Sequence, residues 1–78
     1  MSQHQKYYEL IGVNILYYRK KAGLTQAELA EKVAISTNHL QRIETAVSVP
    51  SLPRLLDIAD ALGISAEKLF QQHPQQNR

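Results

Sequence analysis

"GLTQAELAEKVAISTNHLQRIE", residues 23–44, is the stretch of sequence that decides the fold. Thr25 is followed three residues later by Glu28, which is the spacing of a capping box at a helix N-terminus. Leu29, Ala30 and Val33 then repeat at helical spacing, and Ser36 offers a second N-cap. The sequence therefore predicts two short helices, residues 26–33 and 37–45, joined by a turn of only a few residues.

The second of these helices divides into two faces. Leu40 and Ile43 are three residues apart, so they share an apolar face. The other residues of its outer face carry hydrogen-bonding side chains: Thr37, Asn38, His39, Gln41 and Arg42. Two short helices joined by a short turn cross steeply, as in a helix-turn-helix, whose second helix lies in the DNA major groove. We therefore expect the polar face to read DNA; a merely solvated face is the alternative.

Three further helices are predicted from apolar spacing and end signals. Ile11, Ile15 and Tyr18 indicate a first helix over residues 7–22, ended by Gly23. Ser51 caps a fourth helix with Pro53 in its first turn, and Gly63 ends that helix. Its predicted buried stripe consists of Leu52, Leu55, Ile58, Ala59 and Leu62.

Ser65 is predicted to cap a fifth helix, residues 66–72, with Leu69 and Phe70 turned to the core. No segment alternates at the period of a strand. The prediction is an all-α domain of five helices over residues 1–78. Its core lies at about residues 11–70, with a polar N-terminal arm at residues 1–6 and a polar tail at residues 73–78.

Composition limits the protein to a small class of molecules. The chain has 78 residues, of which 44% are hydrophobic, and no cysteine, so we expect one core without disulfides. No apolar run approaches the roughly 20 residues that span a bilayer, and the polar N-terminus lacks a signal peptide, so a cytoplasmic protein is expected. A net charge of +2 permits nucleic-acid binding without requiring it. The cations at residues 19–21 fit either a helix C-terminus or a phosphate contact.

The sequence offers no catalytic or metal-binding pattern. His4, His39 and His73 lack the spacing of metal ligands, and there is no Ser/His/Asp arrangement or glycine-rich phosphate loop. We therefore expect no enzyme activity, no cofactor and no metal. His39 lies on the predicted DNA-reading helix and is a candidate flanking contact.

The sequence resembles the Cro/C1-type (XRE) helix-turn-helix domains of phage repressors and small bacterial regulators. The resemblance covers about residues 11–70 and is carried by "GLTQAELAEKV", "IS", Leu40, "IE", "PSL", "IADALGIS" and "EKLF", in that order and spacing. It implies a lambda-repressor-like fold and a sequence-specific, double-stranded-DNA-binding transcriptional regulator. A protein–protein adaptor on the same scaffold, such as an antitoxin or antirepressor, is the alternative.

The resemblance also implies roles for individual residues. Gln26 begins the second helix, where this family meets a DNA phosphate, and helix N-termini attract anions. Arg19 and Glu44 match a pair that often forms a partly buried salt bridge. The implied DNA-binding set is Gln26, Ser36, Thr37, Asn38, His39, Gln41, Arg42 and Thr45.

Three departures from the family pattern stand out. Ala34 and Ala46 occupy turn positions where glycine is usual, and alanine tolerates a left-handed backbone poorly. The loop "TAVSV", residues 45–49, lacks the basic residues that many members place there for phosphate contact. Loop-mediated affinity for DNA is therefore in doubt.

A symmetric dimer on a palindromic operator is expected, because one short helix reads only about half a turn of DNA. Two surfaces are candidates for the dimer interface. One is a second apolar stripe on the first helix, comprising Val13, Leu16 and Tyr17; alternatively these residues only cover the core. The other is the fifth helix with Leu69 and Phe70, which family relatives favour.

Overall fold

The computed structural model describes residues 3–72, and within them the chain is helical with no β-strand. Its elements are α1 (Gln5–Lys21), α2 (Gln26–Lys32), α3 (Thr37–Glu44), α4 (Leu52–Leu62) and a 3-10 helix (Ala66–Phe70). The all-α prediction is confirmed. The predicted tail at residues 73–78 lies outside the described residues, and α1 begins two residues earlier than predicted, inside the predicted arm.

The predicted N-caps of α2, α3 and α4 are present. The Thr25 hydroxyl accepts a hydrogen bond from the Glu28 N–H while the Glu28 carboxylate accepts one from the Thr25 N–H, which completes the capping box. Ser36 and Ser51 accept from the N–H groups of His39 and Arg54. These local signals fix where the three helices begin.

The prediction of a fifth α-helix is wrong, since the segment is a 3-10 helix of five residues without a side-chain cap from Ser65. Asn14, fully buried on α1, donates from Nδ2 to the carbonyl oxygens of Leu69 and Gln71 at 2.9 and 2.8 Å. These two bonds hold the C-terminal end of the segment against α1. This segment, Ala66–Phe70, therefore packs against α1 and is termed the strap.

One apolar core joins all five elements. Its buried members, besides residues of the strap, follow the predicted helical stripes: Ile11, Ile15, Leu29, Ala30, Val33, Leu40, Ile43, Leu55, Ile58, Ala59 and Leu62. From the strap, Leu69 is buried in the core and Ala66 packs against it. The prediction that Phe70 is buried is wrong, because half of its surface is exposed.

The prediction that Leu52 belongs to the buried stripe of α4 is also wrong, since 65% of its surface is exposed. At about 100° per residue, Leu52 lies closer around the helix to Leu56 than to Leu55. Leu56 is exposed as well. The two leucines therefore form an apolar face of their own beside the core stripe.

The alanines that replace glycine adopt the strained conformation rather than avoiding it. Ala34 and Ala46 have φ of 60° and 63°, and each follows the C-cap residue of its helix, Val33 for α2 and Thr45 for α3. Each turn is closed by a backbone hydrogen bond, Ile35 N–H to Ala30 O at 3.0 Å and Val47 N–H to Arg42 O at 2.8 Å. The helix ends are thus regular, at a conformational cost of about 1–2 kcal/mol for each alanine.

Candidate nucleic-acid interface

The α3 helix presents one buried and one exposed face, as predicted. Leu40, Ile43 and Glu44 are buried. All the other predicted site residues of α3 and its C-cap are exposed: Thr37, Asn38, His39, Gln41, Arg42 and Thr45. At about 100° per residue, Asn38, Arg42 and Thr45 lie opposite the buried side, with Gln41 beside them and Thr37 and His39 at the margins. The fold therefore gathers these residues on one outward surface.

The two hydroxyl groups that bracket α3 are engaged with its backbone. Ser36 Oγ accepts from the His39 N–H at 3.0 Å, and Thr45 Oγ1 donates to the carbonyl oxygen of Gln41 at 3.0 Å. Ser36 therefore keeps its proton for a ligand, whereas Thr45 keeps acceptor capacity. Ser36 caps the N-terminus of α3 and Thr45 its C-terminus, and both residues are also exposed at the surface.

Arg42 gives the exposed face of α3 its positive charge. Its Nε lies 3.4 Å from Ser48 Oγ in the following loop, and its two terminal nitrogens make no hydrogen bond within residues 3–72. The one carboxylate of α3, that of Glu44, is buried on the opposite side. The two terminal nitrogens of Arg42 therefore remain available to donate hydrogen bonds to a ligand, and no carboxylate on the exposed face of α3 competes for them.

The ion pair predicted between Arg19 and Glu44 is present and buried. Arg19 Nε lies 2.7 Å from Glu44 Oε2, and Arg19 Nη2 donates to Glu44 Oε1 at 3.2 Å. Arg19 Nη1 also donates to the carbonyl oxygen of Leu24 at 3.0 Å. The two charges thus meet in the bidentate geometry that suits a guanidinium and a carboxylate.

Gln26 joins the same network from the start of α2. Its Nε2 donates to Glu44 Oε1 at 2.9 Å, so Glu44 receives hydrogen bonds from both α1 and α2. The side-chain amide of Gln26 is half-buried and directed toward α3. Hydrogen bonds to Glu44 therefore connect α1, α2 and α3 at the C-terminal end of α3. If Gln26 also contacts a DNA phosphate, as predicted, it does so while its Nε2 remains bonded to Glu44.

A close approach between α1 and α3 depends on Gly12, which sequence reasoning missed. A Cβ atom at this position would lie 2.5 Å from the carbonyl oxygen of Glu44 and 2.7 Å from that of Ile43. These are backbone atoms, which move aside less easily than the end of a flexible side chain, so any larger residue would require α3 to shift. A glycine inside a predicted helix, where it costs about 0.5–1 kcal/mol relative to alanine, was the available signal.

The candidate dimer residues fall into different environments. Leu16 and Tyr17 are half-buried and line a shallow groove on the outside of α1 with Val13, Lys20 and Lys21. Leu69 has no exposed surface, because its side chain lies in the core. Phe70 is half exposed.

Residues 3–72 contain neither a cluster of metal-binding side chains nor a membrane-spanning helix. No group of three or more histidine, aspartate or glutamate side chains is placed to hold a metal ion in this part of the chain. No helix there has the length and apolar content needed to cross a membrane.

A model of a known protein family matches most of this chain. The model of the HTH_3 helix-turn-helix family matches residues 15–69. The chain belongs to this family. The match includes α2, the turn and α3, together with the ion-pair residues Arg19 and Glu44, and it confirms the resemblance drawn from the sequence.

Individual relatives carry regulatory names. The cryptic phage CTXphi transcriptional repressor RstR of Vibrio cholerae serotype O1 is 37% identical over 51 residues, which span 65% of this chain and 46% of RstR. The uncharacterized HTH-type transcriptional regulator YazB of Bacillus subtilis is 39% identical over 61 residues, which span 78% of this chain and 88% of YazB. This chain thus matches less than half of RstR and most of YazB.

A solved complex has the same fold. The crystal structure of SinR, a master regulator for biofilm formation, in complex with DNA aligns with a TM-score of 0.73 and 34% identity. The alignment covers 78% of this chain and 98% of the SinR chain.

Proposed function

We propose that this protein is a sequence-specific, double-stranded-DNA-binding transcriptional regulator that inserts α3 into the major groove. The observation that carries the proposal is the outward face of α3, on which Asn38, Gln41 and Arg42 stand exposed. Amide and guanidinium groups can form bidentate hydrogen bonds with adenine and guanine edges in that groove. The DNA-bound structure of SinR and the repressor RstR support the same function.

The rigid mounting of α3 also supports this proposal. The ion pair of Arg19 and Glu44 and the close contact at Gly12 fix the helix against α1. A helix that must match the spacing of base edges gains affinity from such preorganisation, because less freedom is lost on binding. The side chains proposed to contact DNA are Gln26, Ser36, Thr37, Asn38, His39, Gln41, Arg42 and Thr45.

The regulator acts, in this proposal, as a homodimer on a palindromic operator. One copy of α3 covers only part of a helical turn, and two copies facing half-sites about 34 Å apart provide enough contacts for selective binding. The protein has no catalytic role, needs no cofactor and works in the cytoplasm. The membership of a helix-turn-helix regulator family supports these assignments.

Selection of binding sites from a pool of random 30-base-pair duplexes tests this function. The wild-type protein is expected to enrich one family of related sequences, whose affinity exceeds that for an unrelated duplex by about 10³-fold or more at physiological salt. Recovery of no preferred sequence would contradict the proposal. The protein would then be an adaptor that uses the scaffold for another purpose.

The roles of Thr37 and Asn38 sharpen the same experiment. These residues lie at the N-terminal end of α3, which contacts base edges in helix-turn-helix complexes. Replacing both by alanine is expected to flatten the preference among single-base variants of the selected sequence more than it weakens binding to the unrelated duplex. An equal loss on all duplexes would mean that the two side chains hold only phosphates.

A further inference from the structure

The first turn of α4 carries an arginine that its local position does not explain. Arg54 is the third residue of α4, and the first turn of this helix holds no acidic side chain. The N-terminus of a helix has a partial positive charge, so a cation there is unfavourable and carboxylates are favoured. The cap that Ser51 provides uses only the backbone N–H of Arg54. The guanidinium is therefore placed for a contact outside its own helix.

That contact is with the turn between α2 and α3. Arg54 Nη1 donates to the carbonyl oxygen of Val33 at 2.8 Å, and the arginine is half-buried. Val33 is the C-cap residue of α2, at the end where carbonyl oxygens lack partners within the helix and carry a partial negative charge. A cation that is unfavourable at the start of α4 is thus favourable at the end of α2.

The bond fixes the orientation of one strained peptide group. The peptide group that joins Val33 to Ala34 directs its oxygen to Arg54, and its N–H donates to the carbonyl oxygen of Glu31 at 3.2 Å. In this orientation Ala34 has a φ of 60°, which alanine adopts poorly. Rotating the peptide group by half a turn takes Ala34 out of the left-handed region, but it breaks both hydrogen bonds.

The same strain occurs at a second turn, without such a contact. Ala46 follows α3 with a φ of 63°, and a backbone bond of the same pattern closes its turn. No side chain of residues 3–72 donates to the carbonyl oxygen of Thr45, which corresponds to that of Val33. Ala34 lies two residues before Ser36, the N-cap of α3, whereas Ala46 lies after the helix. The side-chain bond is therefore found at the turn that leads into the proposed DNA-reading end of α3.

We propose that Arg54 is a positioning residue for DNA reading, whose hydrogen bond to Val33 holds the turn in the conformation that presents Thr37 and Asn38 to base edges. This inference rests on the proposed function, because it concerns how α3 reads DNA. Flipping the peptide group changes the direction in which the chain enters α3, and only the unflipped fraction of the protein binds productively. In this role Arg54 acts through the turn and touches no base.

The test compares the wild type with Arg54→Met, which keeps an apolar stem and removes the donor. Affinity is measured for the selected DNA sequence and for its single-base variants. Without the bond, the strain at Ala34 favours the flipped turn, so affinity for the selected sequence should fall about 5- to 30-fold. The preference at the base pairs whose recognition depends on Thr37 and Asn38 should flatten as well. A residue that serves only stability leaves this preference unchanged well below the melting temperature.

Substitution of the strained alanine supplies a rescue. Glycine adopts positive φ about as readily as negative φ, so Ala34→Gly makes the bond from Arg54 dispensable. The double variant with Arg54→Met and Ala34→Gly should bind the selected sequence within about threefold of Ala34→Gly alone and regain its base preference. Ala46→Gly combined with Arg54→Met is the matched control. It relieves similar strain at the turn after α3 and should restore neither quantity.

A measurement on the protein without DNA separates this inference from the proposed function. The N–H of Ala34 loses its bond to Glu31 when the peptide group flips, so hydrogen exchange at this amide should accelerate about 5- to 30-fold in Arg54→Met. The N–H of Ala46, which donates to the carbonyl oxygen of Ile43, is the internal control and should not change. Accelerated exchange in a protein that selects no DNA sequence would refute the proposed function while retaining the hold of Arg54 on the turn.

Other outcomes overturn the inference itself. Affinity and base preference equal to those of the wild type in Arg54→Met would remove this role from the arginine. A uniform loss on all duplexes that Ala34→Gly does not restore would make Arg54 a phosphate contact. Equal rescue by Ala46→Gly would reduce the effect to general stability. Unchanged exchange at the Ala34 amide would show that the peptide group keeps its orientation without the bond.

Discussion

Two arginines on neighbouring helices behave in opposite ways. Arg19 on α1 is buried, and each of its three guanidinium nitrogens donates a hydrogen bond, two to the Glu44 carboxylate and one to the Leu24 carbonyl oxygen. Arg42 on α3 is exposed, and its terminal nitrogens have no protein partner in the described residues. The first cation has its counter-charge within the fold, while the second has none among the described residues and is proposed to meet DNA.

This difference corresponds to two roles of α3, which is held in place by one side and is proposed to bind DNA with the other. The side of α3 near Arg19 determines where the helix sits, since Glu44 connects it to both α1 and α2. The side that carries Arg42 determines what the helix contacts. Substitutions on the first side should therefore change stability, and substitutions on the second should change binding alone.

The largest effect is expected from Glu44→Ala. Removing the carboxylate leaves the Arg19 guanidinium buried without a counter-charge, which costs about 3–5 kcal/mol in the free energy of unfolding. Urea denaturation followed by circular dichroism measures it. Glu31→Ala, an exposed glutamate on α2, is the control and should change stability by less than about 0.5 kcal/mol.

A double variant keeps this prediction testable if Glu44→Ala does not fold. Arg19→Met combined with Glu44→Leu removes both buried charges, so its stability should exceed that of Glu44→Ala by several kcal/mol. If the single and double variants are equally unstable, the contact acts through packing and the contrast with Arg42 loses its electrostatic basis.

Gly12→Ala tests the contact that holds α3 at a fixed distance from α1. The added methyl group meets the carbonyl oxygens of Glu44 and Ile43, so stability should fall by about 1–3 kcal/mol. Because α3 has to shift, DNA affinity should fall as well. Val13→Ala, at the exposed neighbouring position, should leave both quantities nearly unchanged. An unaltered melting temperature in Gly12→Ala would show that the two helices are not held so closely.

Arg42→Ala examines the opposite region. It should weaken binding to the selected DNA by about 1–3 kcal/mol, because a bidentate contact to guanine or a phosphate is lost. Its unfolding curve should overlay that of the wild type. Lys68→Ala, an exposed cation on the strap, is the control for the change in net charge. Equal operator affinity of Arg42→Ala and the wild type at matched salt would remove Arg42 from the interface.

The smallest effect concerns the turn that separates α2 from α3. Ala34→Gly should raise stability by about 1 kcal/mol, because glycine adopts a φ of 60° without the clash that alanine has. For a domain of this size, that gain corresponds to about 4–8 °C in melting temperature. Ala27→Gly inside α2 should have the opposite sign, losing about 0.5–1 kcal/mol. The same sign for both substitutions would contradict the strain argument.

The parts of the fold that were predicted correctly depend on local signals. Thr25, Ser36 and Ser51 mark helix starts through hydrogen bonds to residues three positions away, and such spacing is visible in the sequence. The buried face of α3 follows from the spacing of Leu40 and Ile43. The pairing of Arg19 with Glu44 came from the family resemblance rather than from spacing.

The errors arose where contacts between distant residues decide the outcome. Leu52 fits the spacing of a buried stripe, but its position around α4 places it with exposed Leu56. The strap was predicted as an α-helix from local spacing, in which the bonds from Asn14 to the carbonyl oxygens of Leu69 and Gln71 are not visible. Gly12 was overlooked for the same reason, since the carbonyl oxygens it accommodates belong to residues more than 30 positions later.

The buried Asn14 has a consequence for how the chain folds. The hydrogen bonds from its Nδ2 to the Leu69 and Gln71 carbonyl oxygens join residues that are 55 and 57 positions apart, whereas most helix contacts join near neighbours. Local contacts form early and such long closures form late, because loop entropy has to be overcome first. The first helix therefore obtains its last partner only when the end of the described chain docks. Until then, the hydrogen bonds from Asn14 to Leu69 and Gln71 are absent and Leu69 lies outside the core, so docking of this segment and completion of the core are one coupled step.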